Sequence, residues 1–245
     1  MVPLRDNVPT SITPIVTYAL IGANIAVFLY QLTLSPQELQ AFFQSAAVVP
    51  CQLSGNIGGR CPIPTSQELP EWMTLITSQF LHGGFLHIAG NMWFLWIFGN
   101  NVEDRLGHFK FLFFYLTCGV LAGLAQWYFS QGSGIPSLGA SGAIAGVMGA
   151  YILRYPTAEV LTLIPLGFFF PAVRLPAFYF LGFWFLQQAA YGVASLGPRT
   201  NIGMENGGIA YWAHAGGFVF GAILGPLLGL LKSDPDEEYS PQRYS

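Results

Sequence analysis

Charge is what this sequence has least of. Only 9% of its 245 residues are Asp, Glu, Lys or Arg, against about a quarter in an ordinary soluble domain, which excludes a typical cytosolic globule. Its 9 basic residues face 12 acidic ones, too few to build a phosphate-binding surface, so nucleic acid is excluded as a partner. Three histidines, His82, His87 and His214, offer a metal site as a rival reading, but the chain has no His-Glu-x-x-His run and the nearby Asn91 is a poor zinc ligand, so no metal or cofactor is expected. It also lacks the internal repeat that many transporters show.

In place of charge there are long apolar runs. Apolar residues make up 53% of the chain, with 21 Phe, 11 Tyr and 6 Trp, which excludes a disordered protein. Windows of about 19 residues predict spans over 15–34, 86–102, 111–128, 138–153, 175–196 and 209–231. The expected fold is an all-α membrane protein: a cytosolic leader over 1–14, a six-helix bundle over 15–231 and an acidic cytosolic tail over 232–245. One further apolar stretch, 160–173, holds Pro165 and Pro171 within 14 residues, too short and broken for a spanning helix. It is expected to be a loop packed at the interface.

With six spans both termini lie on one side. If that side is cytosolic, Arg5, Arg105, Lys110, Arg154, Arg174, Lys232 and Arg243 fall inside and only Arg60 and Arg199 outside, as the positive-inside rule requires. The expected location is the plasma membrane. The first external connection, about 35–85, is too long for a bare turn and should carry structure of its own. Cys51 and Cys61 flank its Gly-rich stretch and either pair or stay as free thiols.

Polar side chains in a span are costly, and four stand out. His87 and Asn91 are one helical turn apart on the second span, Ser141 opens the fourth, and His214 lies near the start of the sixth. Counted from the charge at each cytosolic end, Ser141 is 13 residues from Arg154, His87 is 16 from Glu103 and His214 is 18 from Lys232. At a helical rise these are roughly 20, 24 and 27 Å, one common level in the outer leaflet. Small-residue stripes, Ala213, Gly217, Gly221 and Gly225 on the sixth span and Ser141, Ala145 and Gly149 on the fourth, would let those two backbones approach closely.

That approach would bring a hydroxyl to an imidazole. Serine becomes a nucleophile when a neighbouring base takes its proton, and histidine suits that task near neutrality. Ser141 and His214 are therefore the candidate catalytic dyad, with the Asn91 side chain, the His87 ring and the Ser141 N–H as candidate oxyanion donors. No aspartate lies in a span to orient His214. Taken singly, a serine among small residues is more often a packing residue, and a lone histidine in a span an interhelical donor. The joint occurrence at one depth favours chemistry, and the same confinement to one leaflet argues against a channel.

The runs FLHGGFLHIAGNMWFLWIFGNNVEDRLG from Phe80, GASGAIAGVMGAY from Gly139 and AHAGGFVFG from Ala213 resemble the rhomboid family of intramembrane serine proteases, over about 18–231. The resemblance implies a six-helix bundle with Ser141 as nucleophile, His214 as base, and His87, Asn91 and the Ser141 amide around the oxyanion. It implies that Glu103 and Arg105 help fix the first loop and its helix joins. Single-span membrane proteins would be the substrates, entering from the bilayer between the second and fifth spans beneath a movable loop over 196–208. Ala145 stands where many members carry an aromatic residue stacked on the base, and Trp72-Met73 is the nearest match to a Trp-Arg pair in the first loop. The alternative reading is a catalytically silent rhomboid-like protein that binds membrane clients.

Overall fold

Glycine, proline and capping residues decide where the helices of this chain begin and end. The computed structural model describes residues 1–55, 61, 70–165, 167–196 and 210–232. Its helices are α1 (Ile15–Gln31), α2 (Pro36–Ala46), α3 (Pro50–Leu53), α4 (Glu71–Thr77), α5 (Phe85–Leu106), α6 (His108–Phe129), α7 (Ser141–Arg154), α8 (Ala177–Ser195) and α9 (Tyr211–Leu227). Gly107, at φ +74°, ends α5 and starts α6, a reversal within one residue that a side chain would strain. Pro36 at the first position of α2 follows a capping box between Ser35 and Glu38. The 196–208 loop beyond Leu196 and the tail beyond Lys232 lie outside the described residues.

The expectation of an all-α chain is corrected by a three-stranded antiparallel sheet of β1 (Val2–Arg5), β2 (Glu159–Leu163) and β3 (Ala172–Pro176), in the order β1-β2-β3. The apolar stretch read as a loop is a hairpin in which Leu161 faces Arg174 and Val160 faces Leu175. Val160 and Thr162 alternate inward and are fully buried, the period-two pattern of a half-buried strand. The prolines that exclude a helix here sit between the strands, around a tip where Phe168, Phe169 and Phe170 are exposed.

The leader is tied into the same body. Val2 pairs with Leu163, Tyr151 donates its hydroxyl to Asp6 Oδ2 at 2.6 Å, and the Ser11 and Ile12 amides donate to Asp104 Oδ1 at 2.8 Å. Burial raises the Asp6 carboxyl above its ordinary value, against the lowering effect of the Tyr151 hydrogen bond.

α7 runs through the middle. All residues from Gly142 to Tyr151 are buried, packed against α5, α6, α8 and α9, with Phe98, Phe111, Phe114, Tyr115 and Leu181 filling the surrounding core. α7 and α9 meet backbone to backbone. A Cβ at Gly217 would fall on the Gly142 carbonyl oxygen, one at Gly221 on that of Gly146, and one at Gly149 on that of Phe218. The α7 stripe expected at Ser141, Ala145 and Gly149 is thus turned by about one residue, to Gly142, Gly146 and Gly149: the carbonyls of Gly142 and Gly146 meet the α9 glycines, while a Cβ at either would collide with Ala122 or Cys118 of α6. Gly225 lies further along the seam, where a Cβ would be 3.0 Å from that of Ala150.

Around this seam the outer helices turn large apolar side chains outward, among them Leu29, Trp96, Phe113, Phe183 and Ile223. An apolar rim of this kind is at odds with a water-facing surface. Among the described helices, α6 has both the length and the apolarity of a membrane span, and α1, with 17 residues, is apolar but shorter.

α1 is capped from another helix. Pro14 before it offers no side-chain cap. Instead Glu103 of α5 accepts from the Val16 amide at 2.9 Å and from the Thr17 amide and hydroxyl at 2.7 Å, and its Oε1 lies 2.6 Å from His108 Nδ1 of α6. Arg105 donates to the Lys232 carbonyl at 2.6 Å. These residues fix helix joins at the sheet end of the molecule. Their role in the first loop, implied by the resemblance, is not where these bonds go.

That loop is held by other groups. Val48 and Ser137 form a β-bridge, the Cys51 amide donates to the Ser133 carbonyl at 3.0 Å, Thr77 donates its hydroxyl to the Ala46 carbonyl at 2.7 Å, and Cys51 is disulfide-bonded to Cys61.

Candidate active site

Ser141 is the first residue of α7, so its backbone N–H belongs to the first turn, which has no intrahelical acceptor. Two residues earlier Gly139 adopts φ +122°, and its amide donates to the Ser78 carbonyl at 2.8 Å. A Cβ at Gly139 would stand 2.8 Å from His87 Nε2 and 3.6 Å from Asn91 Nδ2. Glycine here satisfies both the backbone angle and the close approach of two side chains from α5.

His214 reaches Ser141 from α9, with Nε2 2.8 Å from Oγ. The glycine seam below holds the two helices at this separation. The Gly83 amide donates to His87 Nδ1 at 3.4 Å, which leaves the Nε2–H of His87 as a donor toward Gly139. Asn91, nearly buried, donates from Nδ2 to His82 Nε2 at 2.9 Å. The structure therefore brings together all four polar residues that the sequence singled out: the α7 serine, the α9 histidine and the two α5 donors.

Three further residues contribute: His82, the histidine just outside the second span whose expected role is structural, and Gln188 and Trp184, which sequence reasoning missed. His82 fixes the Asn91 amide, and is itself held by Gln31 of α1, which accepts from its backbone N–H at 3.1 Å and donates to its carbonyl at 2.7 Å. Gln188 of α8 places Oε1 2.8 Å from His214 Nδ1. Trp184, one turn earlier, sets its ring 5.8 Å from the imidazole, where the resemblance would have put an aromatic at Ala145. The sequence signal for Gln188, a carboxamide in an apolar helix, is shared with the adjacent Gln187, and only the structure shows that Gln188 is the buried one. Its spacing from any motif was uninformative.

Ser141 itself lines a cavity whose wall includes Ser78, Gln79 and Ser137 among small and apolar residues such as Val48, Gly119 and Ala122. Gln79 donates to the Leu75 and Leu116 carbonyls, while its Oε1 is buried without a hydrogen-bond partner in the protein.

A family model described as the rhomboid domain matches residues 69–230, well over half the chain and the whole of the site. The chain belongs to the rhomboid family. This rhomboid is 29% identical over 215 residues to "Rhomboid protein 1, mitochondrial" of Saccharomyces cerevisiae, covering 85% of this chain and 51% of that protein. It is 43% identical over 82 residues to "Rhomboid protease GluP" of Bacillus subtilis, covering 34% of the chain and 16% of GluP. To the human "Presenilin-associated rhomboid-like protein, mitochondrial" it is 31% identical over 167 residues, 64% of this chain and 38% of that one. The chain thus spans about half or less of the length of these relatives. As a rhomboid it is an integral membrane protein, in a family that includes serine proteases acting within the bilayer.

Proposed function

We propose that this rhomboid is a serine endopeptidase that cleaves membrane proteins in or near their transmembrane segments. The 2.8 Å contact between His214 Nε2 and Ser141 Oγ carries the proposal. Ser141 Oγ attacks the peptide carbonyl as its proton passes to Nε2, and the oxyanion is met by the Ser141 N–H, the free Nδ2 proton of Asn91 and the His87 Nε2–H. The tetrahedral intermediate collapses to an acyl-Ser141, and His214 gives the proton to the departing amine. Water, activated by the same Nε2, then releases the acid. The cavity beside Ser141, where Ser78, Ser137 and the unpaired Gln79 Oε1 offer polar groups, supplies a place for that water.

The proposed membrane arrangement is six spans: α1, α5, α6, α7, α8 and α9. α7 has 14 residues, about 21 Å, and is short because it is sheathed in protein and meets little lipid. Single-span proteins are the proposed substrates, entering between α5 and α8. Those helices meet through Phe180, whose ring lies 6.5 Å from Phe94 and 6.3 Å from Phe98. Beyond that point α8 leans on α9, through Phe185 and Phe218 at 4.8 Å. The expected plasma-membrane location draws no support from relatives named mitochondrial, and the proposal is confined to an integral membrane site.

The test is cleavage of a panel of single-span substrates in reconstituted bilayers by wild type and by Ser141→Ala. Wild type should cut at least one and the variant none. Equal cutting by both would remove Ser141 as nucleophile, and binding without cutting by both would favour the client-binding reading.

A further inference from the structure

His214 is held from both ends of its ring. Nε2 faces Ser141 Oγ and Nδ1 faces Gln188 Oε1, each at 2.8 Å. A neutral imidazole carries one N–H, and His214 can take the serine proton only when that hydrogen is on Nδ1. A carboxamide can turn either its oxygen or its NH2 toward Nδ1, but only the oxygen leaves Nε2 as an acceptor. We infer that Gln188 is a positioning residue for the dyad: its amide oxygen accepts the Nδ1–H of His214, which selects the tautomer and fixes the ring plane. The inference rests on the reading of Ser141 and His214 as nucleophile and base.

A carboxylate would select the same tautomer, at the cost of burying a charge in the bilayer. Gln188 achieves it with a neutral group. Its place on α8 is set independently of this bond: on one side Phe185 stacks on Phe218, and on the other Gly192 lets α8 lie against the Trp212 ring, where a Cβ would be 3.2 Å from the indole. α8 therefore stays docked on α9 when the Gln188 side chain is changed. Among the described residues, the other titratable group acting on the His214 ring is His87 of α5, which the experiment leaves in place.

The experiment compares the full chain in bilayers as wild type, Gln188→Leu, Gln188→Glu and Ser141→Ala. It reads kcat and KM on a single-span substrate, labelling by a fluorophosphonate, the unfolding temperature and the pH profile of kcat/KM. Gln188→Leu should lose about 100-fold in kcat, the scale of a misplaced reacting group, with proportionally slower labelling and with KM and unfolding temperature unchanged. Gln188→Glu retains the acceptor, so it should recover most of the loss. Its acid limb should move to higher pH, because a carboxylate favours the imidazolium. An unchanged kcat in Gln188→Leu overturns the inference. So does a loss confined to KM or unfolding temperature, or a Gln188→Glu protein as slow as Gln188→Leu with its acid limb unmoved. If wild type neither cleaves nor labels, or Ser141→Ala labels equally, it is the dyad itself that fails.

Discussion

Asn91 carries two amide protons, and the bond to His82 Nε2 commits one of them. The other stays free for an oxyanion, in a plane that His82 sets. Asn91→Ala should therefore lower kcat by about 100-fold, the usual cost of one such donor, with KM little changed. His82→Leu should lower the same parameter by less, since the donor remains but loses its orientation. Steady-state kinetics on one substrate compares them, and equal rates for wild type and Asn91→Ala would leave Asn91 a purely structural bond. Asp6 offers a test away from chemistry. Burial raises its folded-state pKa above 3.8, so the stability associated with its neutral form is complete below that value and is lost as pH rises through the folded pKa. Asp6→Asn, always neutral, should unfold at a higher temperature than wild type at pH 7, and this advantage should vanish near pH 3.

Between helices, contact distance decides what a substitution costs. Gly221→Val must place a branched side chain where the Gly146 carbonyl stands, and should destabilise the protein by at least about 3 kcal/mol while separating base from nucleophile. Gly90→Ala on α5 meets nothing within 4 Å and should be neutral or stabilise by up to about 1 kcal/mol. Unfolding temperatures for the pair test the seam directly. Glu103→Gln should cost roughly 2 kcal/mol, by weakening charged hydrogen bonds to the α1 start. The long helices were legible in the sequence because extended apolar runs and the glycine periodicity of α9 are local patterns, whereas the short α2, α3 and α4 of the first loop carry no such run. The hairpin was not, since Pro165 and Pro171 exclude a helix without revealing which segments pair across them, and β1 comes from far away in the chain. The four polar residues of the site were legible through depth and motif. Gln188 and Trp184 were not, because their meaning depends on how α8 is rotated against α9, which its almost uniformly apolar sequence leaves undetermined.

At the scale of the whole molecule the two ends differ chemically. One end holds the sheet, the Glu103 joins and the exposed Phe168–Phe170 tip. The other holds the first loop, the Val48–Ser137 bridge and the Cys51–Cys61 disulfide. Reducing that bond, or substituting Cys51→Ser, should lower stability by about 2–3 kcal/mol through the freed loop, measured as unfolding temperature with and without dithiothreitol. The bond also works as a compass. Disulfides persist where thioredoxin and glutathione do not reach, so the end that carries it is expected to face an oxidising compartment and the hairpin a reducing one. A cysteine replacing Phe168 should then react in intact cells with a membrane-permeant maleimide and not with an impermeant one, and impermeant labelling would turn the whole molecule over. If the proposed cleavage takes place, products released on the Ser141 side would enter a space where newly exposed cysteines oxidise, so one covalent bond in the first loop bears on the chemical fate of what is set free.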